Sequence, residues 1–529
     1  MLVTESASTS ALQPKYPLSD RPASSQASGF AIGTLPKSVH PGLKSMLSRC
    51  TPAALGFGAD ARPGAPSLPK AGAMRADLII RNGHIVSMDR DFAVHIDGAV
   101  VVSDGRIVAA GPASVAEGFT ASREIDADGG LVIPGLINSH CHFAMTPFRG
   151  LGEGLPNRLE RFMWPLERDM VDGDLVETGA ILGAIEMVVA GTTCVVDSYT
   201  YPERRALAAD RVGLRALIGQ TVMNQRTPDS PDWRAGIRRA EGWLADWAGH
   251  RLVTPILSPH SPYALDDEAL GAVVALSDRS GCGITMHVSE FEWEAQRLRE
   301  RRGLTPIAHL DALGYSDRVF IAAHCIFVDD DDIAIMARGG MSVAHNMVAN
   351  IKSGKGVAPA AKLRRAGVAV GLGTDGPMSG NGIDTLGQLG YVAKVANLMA
   401  NDNAAMPPRD VVEMATIGAA RAIGMADEIG SLEAGKKADI AIIRTDQPHM
   451  QPLYDVYTSL VFSATTRDVA TTIVDGRIVA SDGVALQADM NAAVADVRAA
   501  GEKLAAHIGL PPLAMSGGHA IAPARPFLS

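Results

Sequence analysis

The stretch "PGLINSHCHFAMTPFRG", residues 134–150, begins as an apolar strand and reaches two histidines, His140 and His142. Side chains on a strand alternate between its two faces, so positions two apart point the same way. Both imidazoles can therefore face one point, such as a metal ion. The pair alone is a weak signal, because a single histidine at a strand end is more often a hydrogen-bonded core residue.

Further apolar, strand-like segments follow, separated by stretches such as 174–190 in which apolar residues recur at helical spacing. The predicted strands are 131–139, 192–198, 215–222, 253–258, 283–289, 318–324, 341–345 and 368–374. Eight strand–helix repeats over roughly 290 residues fit the length of an α/β fold of the (β/α)8 TIM-barrel type. A doubly wound sheet is the structural alternative.

The segments on either side of these repeats carry β-hairpin signals. The hexapeptide "DGRIVA" occurs at 104–109 and again, unchanged, at 475–480. Asp-Gly is a turn pair that favours tight hairpins. The repeat predicts one small β-sandwich domain built from both chain ends, residues 74–133 and 430–486, with the barrel, residues 134–429, inserted between. Residues 487–529 are expected to form a C-terminal helix and tail.

Residues 1–73 differ in composition from the remainder of the chain. They are rich in Ser, Ala, Pro and Gly, carry three acidic residues and show no sustained periodicity. Such a segment buries too little apolar surface to offset its ordering entropy, which predicts a disordered extension. A second interpretation places the native start at Met74, just before the first strand-like stretch.

Composition excludes several function classes. The 529 residues are 47% hydrophobic and 20% charged with a formal net charge of −10, so there is no basic surface for nucleic acid or an anionic membrane. No run of about 18 uncharged apolar residues predicts a membrane span. The five cysteines show no C-x-x-C spacing, which favours a reducing, cytoplasmic location. The partner expected is a small-molecule substrate.

Polar residues end four of the eight predicted strands. They are His140 and His142 on the first strand, His287 in "MHVSE", His324 in "AAHC" and Asp375 in "GLGTDG". In a barrel these carboxyl-terminal ends lie on one face, where barrel enzymes build their sites. Imidazoles and a carboxylate form a donor set suited to Zn2+ or Fe2+. The whole set is a strong signal, unlike the opening pair.

Glu290 follows His287 by three residues, so its carboxylate can reach the same face. A metal ion lowers the pKa of bound water, and a carboxylate beside it can take a proton from the water and give one to a leaving group. The alternative role for Glu290 is to cap the helix predicted in "EWEAQRLRERR", residues 292–302.

Residues 76–485 resemble the amidohydrolase superfamily in its cytosine deaminase-like and chlorohydrolase-like branch. The shared motifs are "PGLINSHCH", "MHVSE", "AAHC" and "GLGTDGPMSGN". The resemblance implies metal binding by His140, His142, His287 and Asp375. It also implies catalytic roles: Glu290 would shuttle the proton, His324 would orient the metal-bound water, and Asp375 would accept a proton from that water.

The resemblance also implies the number of metal ions. Many relatives with two metals bridge them through a carboxylated lysine on the fourth strand, but "VTPILSPHSPY", residues 253–263, has no lysine. One divalent ion is therefore expected, with Zn2+ favoured and Fe2+ as the alternative. Relatives commonly assemble as dimers or tetramers, so a homo-oligomer is expected.

Substrate residues are suggested by two further motifs. "FMWPLERDM" looks like the segment that carries a sugar-binding Glu in deaminases of S-adenosylhomocysteine and methylthioadenosine, which would be Glu167, with Trp164 as an apolar wall. His260 in "SPHSPYAL" matches a purine-contacting His of the same group. The alternatives are a solvated helix residue for Glu167 and a structural histidine for His260.

The expected function is metal-dependent hydrolytic deamination of an amino-substituted N-heterocycle, most plainly an adenosine-type nucleoside. The enzymatic alternatives are an s-triazine amino- or chlorohydrolase and a deaminase of a free base or pterin. One departure bears on this choice: relatives often read N-P-x-S-N-x-K where this chain has "NMVANIKSG", residues 346–354. A non-catalytic scaffold on the same fold is disfavoured, because scaffolds lose metal ligands and this chain keeps them.

Overall fold

A computed structural model describes residues 74–155 and 157–510. The disordered extension predicted for residues 1–73, together with the alternative start at Met74, concerns a segment outside the described residues. The same holds for the tail from residue 511 onward.

The strands of the described residues form two sheets. In chain order they are β1 Met74–Val86, β2 Val94–Ser103, β3 Arg106–Gly111, β4 Phe119–Asp126, β5 Leu131–Pro134, β6 Leu136–Cys141, β7 Thr192–Tyr199, β8 Arg215–Val222, β9 Val253–Pro259, β10 Ile284–Val288, β11 Phe320–His324, β12 Met341–His345, β13 Val370–Leu372, β14 Ile440–Ile443, β15 Val469–Val474, β16 Arg477–Ser481 and β17 Val484–Ala485.

Helices follow most of the strands. They are α1 Trp164–Met170, α2 Gly173–Val189, α3 Pro202–Val212, α4 Trp233–Asp246, α5 Asp267–Ser280, α6 Glu292–Arg302, α7 Pro306–Ala312, α8 Asp330–Gly339, α9 Met347–Lys352, α10 Ala360–Arg365, α11 Leu389–Ala400, α12 Pro408–Ala415, α13 Ile417–Ala422, α14 Val456–Phe462 and α15 Met490–His507. Within the described ranges, no helix has the length and apolar character needed to cross a membrane.

The eight-stranded sheet is a parallel barrel. Its eight strands, β6 to β13, lie side by side in chain order, whereas a doubly wound sheet reverses its order. The first and last strands meet through Asn138, whose amide donates to Thr374 Oγ1 at 2.7 Å and whose Oδ1 accepts from the Thr374 N–H at 3.1 Å. The predicted (β/α)8 TIM barrel is therefore confirmed.

Two predicted strands, 215–222 and 341–345, have the bounds of β8 and β12. Every residue of both strands is buried, as expected for a parallel sheet covered on both faces. The first predicted strand, 131–139, is instead divided at Gly135. A Cβ at Gly135 would overlap the Thr193 side chain, so the chain passes here from the nine-stranded sheet into the barrel at a point that only glycine fits.

The nine-stranded sheet combines both ends of the described chain. Its order is β17-β16-β15-β14-β5-β1-β2-β3, with β4 beside β1. The two "DGRIVA" copies form the turns of the β2–β3 and β15–β16 hairpins. Gly105 and Gly476 have φ values of +74° and +76° there, and a Cβ at Gly476 would lie 2.8 Å from the Gly105 Cα. The repeated turns thus pack against each other.

A buried ion pair joins the barrel to the nine-stranded sheet. Arg215 on β8 donates to both carboxylate oxygens of Asp439, at 2.7 and 2.9 Å, and both side chains are almost fully buried. Arg215 also contacts Asp475 in the repeated turn at 3.4 Å. Bidentate pairing gives this contact a fixed geometry, so the ion pair holds the barrel against the nine-stranded sheet.

Candidate active site

The polar residues predicted at the strand ends lie on one rim of the barrel. His140 belongs to β6, His287 to β10 and His324 to β11. His142 follows β6 directly, and Asp375 lies shortly after β13. Because β6 and β13 are neighbours across the barrel closure, residues that are far apart in sequence meet here.

Four of these side chains converge on one point. The donor atoms of His140, His142, His287 and Asp375 all lie within 4.8 Å of one another. His142 Nε2 is 3.2 Å from His287 Nε2 and 3.2 Å from Asp375 Oδ1, and His140 Nε2 is 3.8 Å from the same Oδ1. The predicted metal-binding set is therefore the set that the fold brings together.

Hydrogen bonds turn two of the imidazoles so that Nε2 faces this point. His287 Nδ1 contacts the backbone carbonyl of His260 at 2.8 Å, and His142 Nδ1 contacts the carbonyl of Ser198. Only an Nδ1–H can donate to a carbonyl, so each Nε2 is left as an acceptor unless the ring is protonated. Second contacts of this kind are typical of metal-binding histidines.

His140 provides the test of whether a metal fits. It is fully buried, and within the described residues neither ring nitrogen has a hydrogen-bond partner. Burial lowers the pKa of His140 and of His287 well below the ordinary value, so both rings are unprotonated. A buried polar group without a partner is costly, and a divalent cation among the four donors would satisfy it.

The backbone at this rim is held in unusual conformations. His324 and Asp375 have φ values of 74° and 58°, and Ser289, next to Glu290, has a φ of 51°. Non-glycine residues in this region carry strain and concentrate at functional sites. These conformations occur where the chain leaves β10, β11 and β13 at the mouth of the barrel.

His324 lies beside the four donors without joining them. Its Nδ1 contacts two side-chain amides, with Asn350 Oδ1 at 2.9 Å and Asn346 Nδ2 at 3.3 Å. Its Nε2 has no hydrogen-bond partner in the described part of the chain and lies 3.7 Å from Glu290 Oε1. Asn350 belongs to the "NMVANIKSG" segment, so one function of this segment is to orient His324.

Glu290 does not cap the following helix. Helix α6 begins at Glu292, and its N-cap is Phe291 with no side-chain capping bond. The Glu290 carboxylate is instead buried in the mouth of the barrel, where Oε1 accepts a hydrogen bond from Lys355 Nζ at 2.5 Å. Burial alone would raise the pKa of Glu290, but His324 and Lys355 outweigh it and lower the pKa to about 2.

Glu294 is a residue that the sequence did not single out. Its two carboxylate oxygens accept the backbone N–H groups of Ser289 and Glu290, at 3.1 and 2.9 Å. Burial raises the pKa of Glu294 to about 8. Glu294 thereby fixes the turn that carries Glu290. A carboxylate four residues after Glu290 was the feature of the sequence that could have indicated this role.

A cavity of about 890 Å³ opens above the four donors. His142, His287, Glu290 and Asp375 line its inner part. Its walls carry the predicted substrate residues together with buried methionines, namely Trp164, Glu167, His260, Met145, Met163, Met223 and Met378. A mainly apolar cavity with a few directed polar groups is typical of a small-molecule site.

The predicted substrate residues lead outward from the donor cluster in two directions. The His260 ring lies 4.7 Å from the His287 ring and 5.8 Å from Trp164, centroid to centroid. In the other direction the Tyr199 ring lies 6.4 Å from His142, and its hydroxyl donates to Glu167 Oε1 at 2.8 Å. Tyr199 was not predicted; it orients Glu167 from the end of β7.

Sequence comparisons identify the family and several relatives. The family model described as the amidohydrolase family matches residues 131–479. A 5-methylthioadenosine/S-adenosylhomocysteine deaminase of Symbiobacterium thermophilum is 40% identical, over 81% of this chain and 99% of its own length. A 5'-deoxyadenosine deaminase of Methanosarcina mazei is 35% identical, over 82% of this chain and 99% of its own.

Solved structures show the same fold. An adenosine deaminase of Xanthomonas campestris with bound zinc superposes with a TM-score of 0.80 at 31% identity, over 82% of this chain and 100% of that one. An atrazine chlorohydrolase of Arthrobacter aurescens, complexed with zinc, has a TM-score of 0.73 at 23% identity, over 80% and 100%; that likeness concerns the fold alone. With the family model covering most of its length, the chain belongs to the amidohydrolase family.

Proposed function

We propose that this enzyme hydrolytically deaminates an adenosine-type nucleoside and releases ammonia. The observation that carries the proposal is the position of Glu167. It is a carboxylate in the wall of the same cavity whose inner end is lined by three of the four metal-type donors, His142, His287 and Asp375. One end of the cavity suits the reacting ring, and the other suits a sugar. The nucleoside deaminases among the relatives support this assignment.

The inner end would hold one divalent cation through His140, His142, His287 and Asp375. Three imidazole nitrogens and one carboxylate oxygen suit Zn2+, and Fe2+ is the alternative. The cation would supply a Lewis acid that makes water a competent nucleophile near neutral pH. No lysine in β9 is present to bridge a second ion, so a single metal is proposed.

The chain's own residues would move the protons. His324 would orient the attacking water through its free Nε2, and Asp375 would accept a proton from it. Glu290 would carry a proton from the water to the ring nitrogen beside the amino-bearing carbon. Water would add to that carbon, and the proton held by Asp375 would pass to the amino group, so that the carbon–nitrogen bond breaks and ammonia leaves. The overall change replaces an amino group by an oxygen. A carboxylate that transfers protons in this way contributes typically about 10²- to 10⁴-fold.

The outer residues would select the nucleoside. His260 and Trp164 would flank the purine. Burial lowers the pKa of His260 to about 4, so its imidazole would meet the purine as a neutral ring. Glu167 would accept hydrogen bonds from the ribose hydroxyls. Tyr199 donates to Oε1, and the described residues donate no hydrogen bond to the other oxygen of this cavity-lining carboxylate, which is therefore the proposed acceptor.

A screen for ammonia release tests the proposal directly. It compares adenosine-type nucleosides, free bases, pterins and s-triazines. Nucleosides are expected to react. If they are inert while a triazine, a base or a pterin reacts, the sugar-binding assignment is wrong and one of the alternatives replaces it.

Replacing Glu167 by alanine is expected to weaken kcat/KM for nucleosides by roughly 10- to 150-fold, the factor that follows from losing a hydrogen bond to a charged group, about 1.5–3 kcal/mol. A free base has no sugar and should lose little. Steady-state kinetics on a nucleoside and on its free base measure the difference. An equal loss on both substrates would show that Glu167 supports the fold of the site and does not bind the sugar.

The same carboxylate predicts a pH dependence. Burial raises the pKa of Glu167 to about 7, so its charge is present above that pH and is lost as the pH falls through it. Ionised acceptors form the stronger hydrogen bonds, so KM for a nucleoside should rise as the pH falls from about 8 to about 6. The Glu167→Gln enzyme cannot ionise there and is the matched control. If KM of the wild type changes with pH in the same way as KM of Glu167→Gln between about pH 8 and 6, the assignment is contradicted.

A further inference from the structure

We infer that Lys355 is a positioning residue for the proton-transferring carboxylate. This inference rests on the proposed role of Glu290. Lys355 lies in the segment that follows α9 and lines the same cavity. Within residues 74–155 and 157–510, Glu290 is the side chain to which its ammonium donates a hydrogen bond.

The hydrogen bond from Lys355 engages one oxygen of the Glu290 carboxylate, Oε1. Lys355 Nζ lies 2.5 Å from Glu290 Oε1, and His324 Nε2 approaches that same oxygen at 3.7 Å. Oε2 accepts no hydrogen bond from the described residues and is not among their buried unpartnered atoms, so it is open to the cavity. The lysine therefore selects the orientation in which one oxygen faces the substrate.

The ammonium is itself held in place. The Lys355 side chain is only 16% exposed, and its Nζ lies 5.1 Å from the centre of the Phe291 ring. A cation over an aromatic face is attracted to it. Burying a lysine is costly unless it is paired, and Glu290 is the pairing partner.

The backbone ties Lys355 to the residue that orients His324. The Lys355 N–H donates to the carbonyl of Asn350 at 3.0 Å, after a turn through Gly354 with a φ of 64°. Asn350 holds His324 through its side chain. One short segment after β12 therefore fixes both groups that flank Oε1 of Glu290.

This arrangement predicts which kinetic constant depends on Lys355. A reacting group displaced by about 1 Å can cost about 100-fold in rate. We expect Lys355→Met to lower kcat by about 10- to 100-fold and to change KM by less than about threefold, because Lys355 acts through Glu290. Metal content and Tm should stay as in the wild type. Lys355→Arg keeps a charged donor and should recover most of the loss.

The control is Lys362→Met. Lys362 is a lysine of the next helix, α10, and pairs with Asp330 at the surface. Its replacement should change neither kinetic constant. If Lys355→Met leaves kcat unchanged, or raises KM while kcat is kept, the inference is overturned.

A double-mutant cycle separates this inference from the proposed function. In the Glu290→Gln background, Lys355→Met should cause almost no further loss, since neighbours that act as a unit are not additive. A full second loss would overturn the inference while leaving Glu290 in its role. A fully active Glu290→Gln enzyme would instead remove the proposed proton transfer itself. Should Lys355→Met fail to fold, the comparison of Lys355→Arg with Lys355→Gln decides, and equal kcat values would overturn the inference.

Discussion

Purified enzyme is expected to hold about one divalent cation per chain, and the His287→Ala variant is expected to lose most of it together with its activity. His287 Nε2 is one of the four converging donors, and its ring is locked by the carbonyl of His260. Replacing a residue that only orients a ligand typically costs about 10- to 100-fold in metal affinity, so removing the ligand itself should cost at least as much.

Elemental analysis of the purified proteins measures this loss, and His345→Ala is the matched control. His345 also ends a barrel strand, β12, and is also buried, but it lies outside the group of four donors. Its replacement should leave the metal content unchanged. Two tightly held equivalents in the wild type would contradict the single-metal proposal, and a His287→Ala enzyme with full metal content would contradict the ligand set.

The barrel was predictable because its signals are local. Each buried parallel strand is a short, continuous apolar run, and helical periodicity fills the space between runs. Residues 131–139 show the limit of this reasoning. The run is continuous in sequence, yet it is divided between two sheets at Gly135, where the backbone closely approaches Thr193 on the next strand, β7. The hydropathy pattern of the sequence does not predict such a contact.

The donor cluster was predictable for a geometric reason. Parallel strands of a barrel present their carboxyl ends on one face, so residues at those ends must approach one another. His140 and Asp375 are far apart in sequence, but the closure between β6 and β13 makes them neighbours. Knowledge of the strand ends was sufficient to place these residues on one face. The separation of His324 from the four metal-binding residues came from the resemblance to the amidohydrolase superfamily.

The residues that support the cluster could not be found in this way. Tyr199, Glu294, Asn350 and Lys355 each lie on a different element and are locally ordinary polar residues. Their roles come from pairings across loops, such as Lys355 with Glu290, that no periodicity encodes. Sequence patterns therefore identify the reacting groups better than the groups that orient them.

Replacing Glu290 by glutamine is expected to reduce turnover by about 10²-fold or more while leaving metal content and Tm unchanged. The amide keeps the size of the carboxylate, and its oxygen can still accept the hydrogen bond from Lys355. It can neither take a proton from water nor deliver one to the ring nitrogen, so the loss should have the magnitude of a missing general acid–base group. The effect should fall on kcat more than on KM, because the lost interaction belongs to the transition state.

The matched control for Glu290→Gln is Glu292→Gln. Glu292 is an exposed carboxylate two residues away that lines the mouth of the same cavity. If the loss came from a weaker negative potential at the cavity, both variants would be impaired. If it comes from proton transfer at one atom, only Glu290→Gln will be slow, and its metal content will separate that defect from the one in His287→Ala. Near-normal turnover in Glu290→Gln would mean that another group, with Asp375 the nearest carboxylate on the donor cluster, carries the proton.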